Sequence, residues 1–163
     1  MSASPAIQLA AIPRPPARPP VFPPGLAERI IAVAKARGIG APAGFDFREP
    51  TPDIPAEAVA YLGAWGPGTD TGGSTKIRVV ERIDSDQTVH VLRMWSFCCN
   101  GRMQPGYAEQ VGRLIDGKIR LTYAGISHTG TVEELEFLSD GKIQMTMVIA
   151  DVGIVRTVLP RIQ

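Results

Sequence analysis

The feature that most constrains this chain is a change of period after residue 74. From Thr75 onward apolar residues recur every second position, in runs separated by short polar turns. A period of two is that of a strand whose faces meet different surroundings. Thr75 to Ile83 alternates, with Ile77, Val79 and Ile83 opposite Lys76, Arg78 and Arg82. Thr88 to Ser96 forms a second strand after the turn Asp84-Ser85-Asp86-Gln87. Asp116-Gly117 joins Tyr107–Ile115 to Lys118–Ala124, and Ser139-Asp140-Gly141 joins Thr131–Leu138 to Lys142–Ile149. Asp-Gly is a strong short hairpin signal, because glycine takes positive φ without steric cost. A last strand spans Ile154 to Leu159.

Leu114-Ile115-Asp116-Gly117-Lys118-Ile119 closely matches Leu138-Ser139-Asp140-Gly141-Lys142-Ile143. The segments between do not match, so this is one turn solution used twice and not a solenoid repeat. With Leu62 to Trp65 as a first strand, the count reaches eight. Hairpin-linked strands form an antiparallel meander, and eight tend to close because closure removes unpaired edges. The expected fold class is mainly β: an antiparallel eight-stranded up-and-down barrel, preceded by a proline-rich tail and one or two short helices. A β-sandwich is the alternative, but no long Greek-key crossover is evident.

Proline usage divides the chain. Of 15 prolines, 12 lie before residue 60, and the other three, Pro67, Pro105 and Pro160, fall at expected strand ends or loops. Proline cannot donate to a ladder, so that placement suits the barrel. The expected organisation is a proline-rich disordered tail over 1–24, a helix and proline-rich linker packing on the barrel over 25–59, and the barrel over 60–163. Leu26, Ile30, Val33 and Arg37 share a helix face, with Ile31 and Ala34 beside it, and Gly38 can end the helix. A second short helix is expected over Pro55 to Tyr61, with Phe45 and Phe47 anchoring the loop before it.

Formal net charge is +1, and from Tyr61 onward 11 basic residues balance 11 acidic ones. That excludes a general nucleic-acid binder, which needs a basic excess. No stretch reaches the ~20 apolar residues of a membrane span. Met1 to Leu9 holds no Lys or Arg, and prolines interrupt any apolar core of a signal peptide. The only cysteines, Cys98 and Cys99, are adjacent, so a structural disulfide between them is not expected. These points lead to an expected cytoplasmic location.

Tyr61-Leu62-Gly63-Ala64-Trp65-Gly66 resembles the G-x-W start of calycin barrels, the lipocalin and avidin-like superfamily. The resemblance rests on Gly63 and Trp65 and, by strand count, covers Tyr61 to Leu159. It implies a helical turn before the first strand, a tryptophan plugging one barrel end, and binding of a small apolar molecule. The chain departs from lipocalins in lacking a spaced cysteine pair and their later motifs. Avidin-like biotin contacts cannot be placed on it residue by residue.

Other motifs carry less. Gly66 to Lys76 invites a phosphate-loop reading, but Ser74 stands where lysine is required and a strand follows instead of a helix. The segment reads better as a loop at the barrel mouth, where it could gate a ligand. His90, His128, Cys98 and Cys99 show neither C-x-x-C nor H-x-x-x-H spacing, so no metal or cofactor is expected. Nothing positions a nucleophile beside a base, and no catalytic residue is assigned. Glu133, Glu134 and Glu136 read as a solvated strand or rim. Trp95, Phe97 and Met103 are candidates for a pocket mouth or a core plug.

Alternation places Glu81 on the Ile77 and Val79 face, where a buried carboxylate would need a partner such as Arg93. The favoured alternative is that a bulge reverses the face or that Glu81 lies at the wet strand end. The leading expectation is therefore a non-enzymatic barrel that holds a small apolar or amphipathic molecule. Its ligand-binding candidates are Trp65, Ile77, Val79, Glu81, Arg93 and Trp95, with Leu121, Tyr123, Met145 and Met147. One alternative is an interaction module with a filled barrel, docking a protein partner through Pro13–Pro24 or the 25–37 helix. A small enzyme at the barrel mouth has the least support.

Overall fold

The structure is a computed structural model, and it describes residues 20–98, 101–123, 130–150 and 152–163. The proline run before Pro20, Cys99 and His128 lie outside the described residues.

Among the described residues, nine strands form a single antiparallel sheet in the order β8-β7-β6-β5-β4-β3-β2-β1-β9. They are β1 (Gly63–Thr69), β2 (Thr75–Ile83), β3 (Thr88–Trp95), β4 (Gly106–Ile115), β5 (Lys118–Thr122), β6 (Val132–Phe137), β7 (Ile143–Ile149), β8 (Gly153–Leu159) and β9 (Arg161–Ile162). Up-and-down connectivity brings neighbours in sequence together as neighbours in space, as the hairpin signals required. At Pro160 the last strand bends. Its first part pairs with β7, and its continuation pairs with β1 through Ala64–Ile162 and Trp65–Arg161. The Gly66 N–H donates to the Pro160 carbonyl at 2.6 Å. The sheet is thus a nearly closed barrel, and the ninth strand is the tail of the expected eighth.

The Asp116-Gly117 turn has φ +50° and +77°, the double positive φ of a two-residue hairpin. With the turns at Asp84–Gln87 and Leu138–Gly141, it defines one end of the barrel. Helix α2 (Ala56–Val59) lies at the same end. There the Tyr61 hydroxyl donates to the Gly117 and Leu135 carbonyls at 2.7 and 3.2 Å, and Trp65 Nε1 donates to the Tyr61 carbonyl at 2.8 Å. Phe137 packs on both rings. Arg161 stacks over Trp65 with Cζ 4.3 Å from the ring centroid, and its Nη groups donate to the Ala60 and Leu62 carbonyls. This end is plugged. The opposite end carries the β1–β2 turn and residues 96–98 and 101–105, and it is the mouth.

Helix α1 (Leu26–Ala36) lies on the outside. Gly38 at φ +64° ends it, and the Ile39 N–H reaches back to the Ala34 carbonyl at 2.8 Å. Its buried Leu26, Ile30 and Ala34 pack on Ala64, Ile77, Val79, Leu92, Met94 and Ile162. Each fully buried Leu or Ile side chain contributes roughly 1.5–3 kcal/mol. The loop after α1 is held by stacked Phe22, Phe47 and Phe45, with centroids 4.7 and 5.3 Å apart.

Here one expectation is corrected. Ile77 and Val79 do not face the barrel interior. They face outward beneath α1, and it is Lys76, Arg78 and Val80 that point in. The apolar face of β2 is the covered outer one, because α1 shields it from water as fully as a barrel interior would. Glu81 is also on the outside. A bulge between Val80 and Arg82 shifts the register, and the Glu81 carboxylate accepts the Asp46 N–H at 2.9 Å. No hydrogen bond or ion pair joins it to Arg93. Burial raises its pKa, against the lowering effect of the Asp46 hydrogen bond, with the Glu109 charge adding to the rise.

Candidate functional site

The mouth half of the barrel is not filled by side chains. It holds a cavity of about 600 Å³. One wall is apolar, formed by Met103, Met147, Ile149, Val152 and Val155. The other carries Asp70, Lys76, Arg78, Arg93, Gln110 and Tyr123, with Trp95 at the rim.

The elements explain this division. On β3 the inward positions are Val89, Val91, Arg93 and Trp95, so the strand turns from apolar to cationic as it nears the mouth. On β2 the inward Arg78 lies directly opposite Arg93. Two adjacent guanidinium groups repel, and a carboxylate from across the barrel pairs with one of them. Glu133 on β6 takes Arg78 in a two-point grip, with Nε to Oε1 at 2.6 Å and Nη2 to Oε2 at 2.9 Å. The Tyr123 hydroxyl donates to the same carboxylate, and Arg78 Nη1 donates to the Ile77 carbonyl at 3.1 Å. Glu133 is 0% exposed, which corrects the expectation of a solvated acidic run. Only Glu134 and Glu136 face out, because Glu133 falls on the inward side with Leu135 and Phe137.

Desolvation acts to raise the Glu133 pKa, but the Arg78 charge and hydrogen bonds, with Tyr123 and Arg93, outweigh it and hold it below the usual range. Burial and the neighbouring Glu133 charge push the Tyr123 phenol up, so it stays protonated. A second ion pair, Lys76 with Asp70, sits nearer the mouth and is almost as enclosed. Desolvation lowers the Lys76 pKa, with Asp70 opposing. Asp70 Oδ1 also accepts the Gly72 and Ser74 N–H groups, which folds the β1–β2 turn over the cavity edge. The expected mouth loop is thus part of the cavity wall, through Asp70, Thr71, Gly72 and Ser74.

Of the ten candidates, Arg93, Trp95, Tyr123 and Met147 border the cavity. Leu121, Met145 and Trp65 lie in the packed core between cavity and plug. Ile77, Val79 and Glu81 stand on the far side of the wall. Sequence reasoning missed Lys76, Arg78 and Glu133. A signal existed for the last, since it shares the period-two face of Leu135 and Phe137.

Met103 borders the cavity, whereas Phe97 is exposed. Cys98 borders the cavity and is disulfide-bonded, where no structural disulfide was expected. His90 is on the outer face of β3, bonded to Asp84 Oδ2 at 2.8 Å and Arg82 Nη2 at 3.1 Å. The barrel wall separates it from Cys98. Among the described residues no group of three or more His, Cys, Asp or Glu could hold a metal, and no helix is long and apolar enough to cross a membrane.

Comparison with protein-family models, with curated proteins and with solved structures finds no match to this chain.

Proposed function

We propose that the barrel is a non-enzymatic binding domain that takes a small amphipathic molecule into its mouth-side cavity. One observation carries this reading: the interior is packed at one end and left open at the other, with apolar surface and a few convergent polar groups. A cavity of about 600 Å³ suits a ligand of drug-like size, and such sites are mostly apolar with few orienting polar groups. The calycin resemblance belongs to the same reading. Helix α2 precedes β1, and Trp65 sits in the plug, as that resemblance implies. The interaction-module alternative gains little from α1, whose Leu26, Ile30 and Ala34 are already spent on the barrel.

Tryptophan fluorescence tests the proposal. Trp95 borders the cavity and Trp65 does not. Titration with medium-chain amphiphiles and planar aromatic acids is expected to change the emission saturably and raise the Tm. Trp95→Phe should abolish most of the spectral change. If no member of such a panel shifts either the emission or the Tm, the binding reading is wrong.

A further inference from the structure

The charged groups of the cavity are unevenly paired. Lys76 has Asp70, and Arg78 has Glu133. Arg93 has neither. No hydrogen bond or ion pair ties its guanidinium to a described residue, and its Nε is buried without a partner. Glu109 also borders the cavity but is solvent-exposed, on the outward side of β4, and forms no ion pair with Arg93. A guanidinium cannot lose its charge at any ordinary pH, so an unmatched one in a partly enclosed space is costly unless something answers it.

The surroundings of Arg93 fix how it can be answered. Its Cζ lies 3.8 Å from the Tyr123 ring centroid and 5.7 Å from that of Trp95. The aromatic rings support the cation, but a ring face accepts no strong in-plane hydrogen bond. The N–H edges of the fork are left for an oxygen pair, and a carboxylate matches that fork in its plane. Tyr123 is itself locked by its bond to Glu133, and Gln110 by donating to the Thr122 carbonyl, so the platform around Arg93 is rigid before any ligand arrives.

We infer that the cavity selects monoanionic amphiphiles, with a carboxylate head seated on the Arg93 guanidinium and the apolar remainder against Met147, Ile149 and Val155. This rests on the binding reading above and adds the head-group chemistry to it. The pairing of these charges sets the valence. Lys76 and Arg78 are each answered by one carboxylate, so among the described residues Arg93 is the single lining cation left without an ion pair, and one negative charge answers it.

The test is a matched series of one chain length measured by calorimetry at low salt: decanoate, 1-decanol, decyl phosphate and decyltrimethylammonium. The wild-type protein is expected to bind decanoate at least about tenfold tighter than decanol, the usual gain of a charge-assisted hydrogen bond. The cationic probe should be weakest. Arg93→Met should remove most of the decanoate preference, and Arg93→Lys should keep part of it, with circular dichroism confirming that both variants fold. Equal affinity of the wild type for decanoate and decanol overturns the carboxylate assignment while leaving the binding reading intact. Tighter binding of decyl phosphate than of decanoate overturns the monoanion assignment. If none of the four binds and a wider panel also fails, both readings fall together.

Discussion

Glu133 shows what a single buried charge commits a small barrel to. It has no solvent and accepts three hydrogen bonds from two partners: Arg78 twice, Tyr123 once. Removing one member of such a set leaves the other charge buried and unpaired, which typically costs about 3–5 kcal/mol, whereas replacing both by apolar groups is often near neutral. Since domains of this size are stable by only about 5–15 kcal/mol, Glu133→Gln should leave the protein marginal in urea denaturation. The double variant Arg78→Met with Glu133→Leu should regain most of the loss. The pH dependence follows from the direction of the shift. The Glu133 pKa in the folded protein lies below its ordinary 4.5. Its contribution is therefore complete above about pH 4.5 and fades as pH falls through the folded value. The stability gap between wild type and Glu133→Gln should be full at pH 7 and narrow steadily below pH 4.5. A gap unchanged down to pH 3 would show that the ion pair does not act this way. Part of this site was legible in the residues alone. Arg93, Trp95, Tyr123 and Met147 were placed on inward faces by strand period, because nothing interrupts alternation on β3, β5 and β7. The Arg78–Glu133 pair was not, because it joins β2 to β6 and no local rule reports which distant strands face one another across a barrel.

At the level of elements, β2 is the instructive case. Alternation located it correctly but put Ile77 and Val79 on the wrong side, and the bulge after Val80 splits both expected faces, leaving Ile83 inside and Arg82 outside with His90. The rule that the apolar set faces the core assumes one buried face. Here both are buried: the outer by α1, the inner by the ion pairs. The helix and the strand were each readable, but their mutual packing was not, since it depends on where residues 38–55 bring α1 to rest. The consequence is measurable. Ile30 is fully buried against β2, whereas Ile31, one position along, is 37% exposed. Ile30→Ala should cost about 2–5 kcal/mol in chemical denaturation, the range for deleting a buried branched side chain. Ile31→Ala should fall within about 0.5 kcal/mol of wild type, as surface substitutions do. Equal effects would mean that α1 is not clamped on the barrel in this register.

For the whole molecule, closure is the quantity that matters, because an open sheet would have no interior to offer a ligand. The seam between first and last strands is made in two ways. Near the plug it has a true ladder, Ala64 with Ile162 and Trp65 with Arg161, and Arg161 fastens the same corner from the chain's end. Toward the mouth the ladder stops, and β1 leans on β8 by contact alone. Gly68 permits this approach. A Cβ at that position would lie 2.5 Å from the Val158 carbonyl oxygen, 2.7 Å from Leu159 Cδ2 and 2.8 Å from Thr157 Cγ2. The nearest of these is backbone and cannot rotate away. Gly68→Val must therefore part β1 from β8 on the mouth side, with the plug-end ladder acting as a hinge. Overpacking of this kind costs roughly 1–3 kcal/mol, so the variant should still fold, with a lower Tm. Hydrogen exchange should quicken at the mouth-side amides of β1 and β8 and stay slow around Leu62 and Ile162. Binding of the fluorescence panel should weaken, although Gly68 is not among the cavity-lining residues. A Gly68→Val protein with unchanged exchange at the seam would mean that the barrel does not depend on this contact for closure.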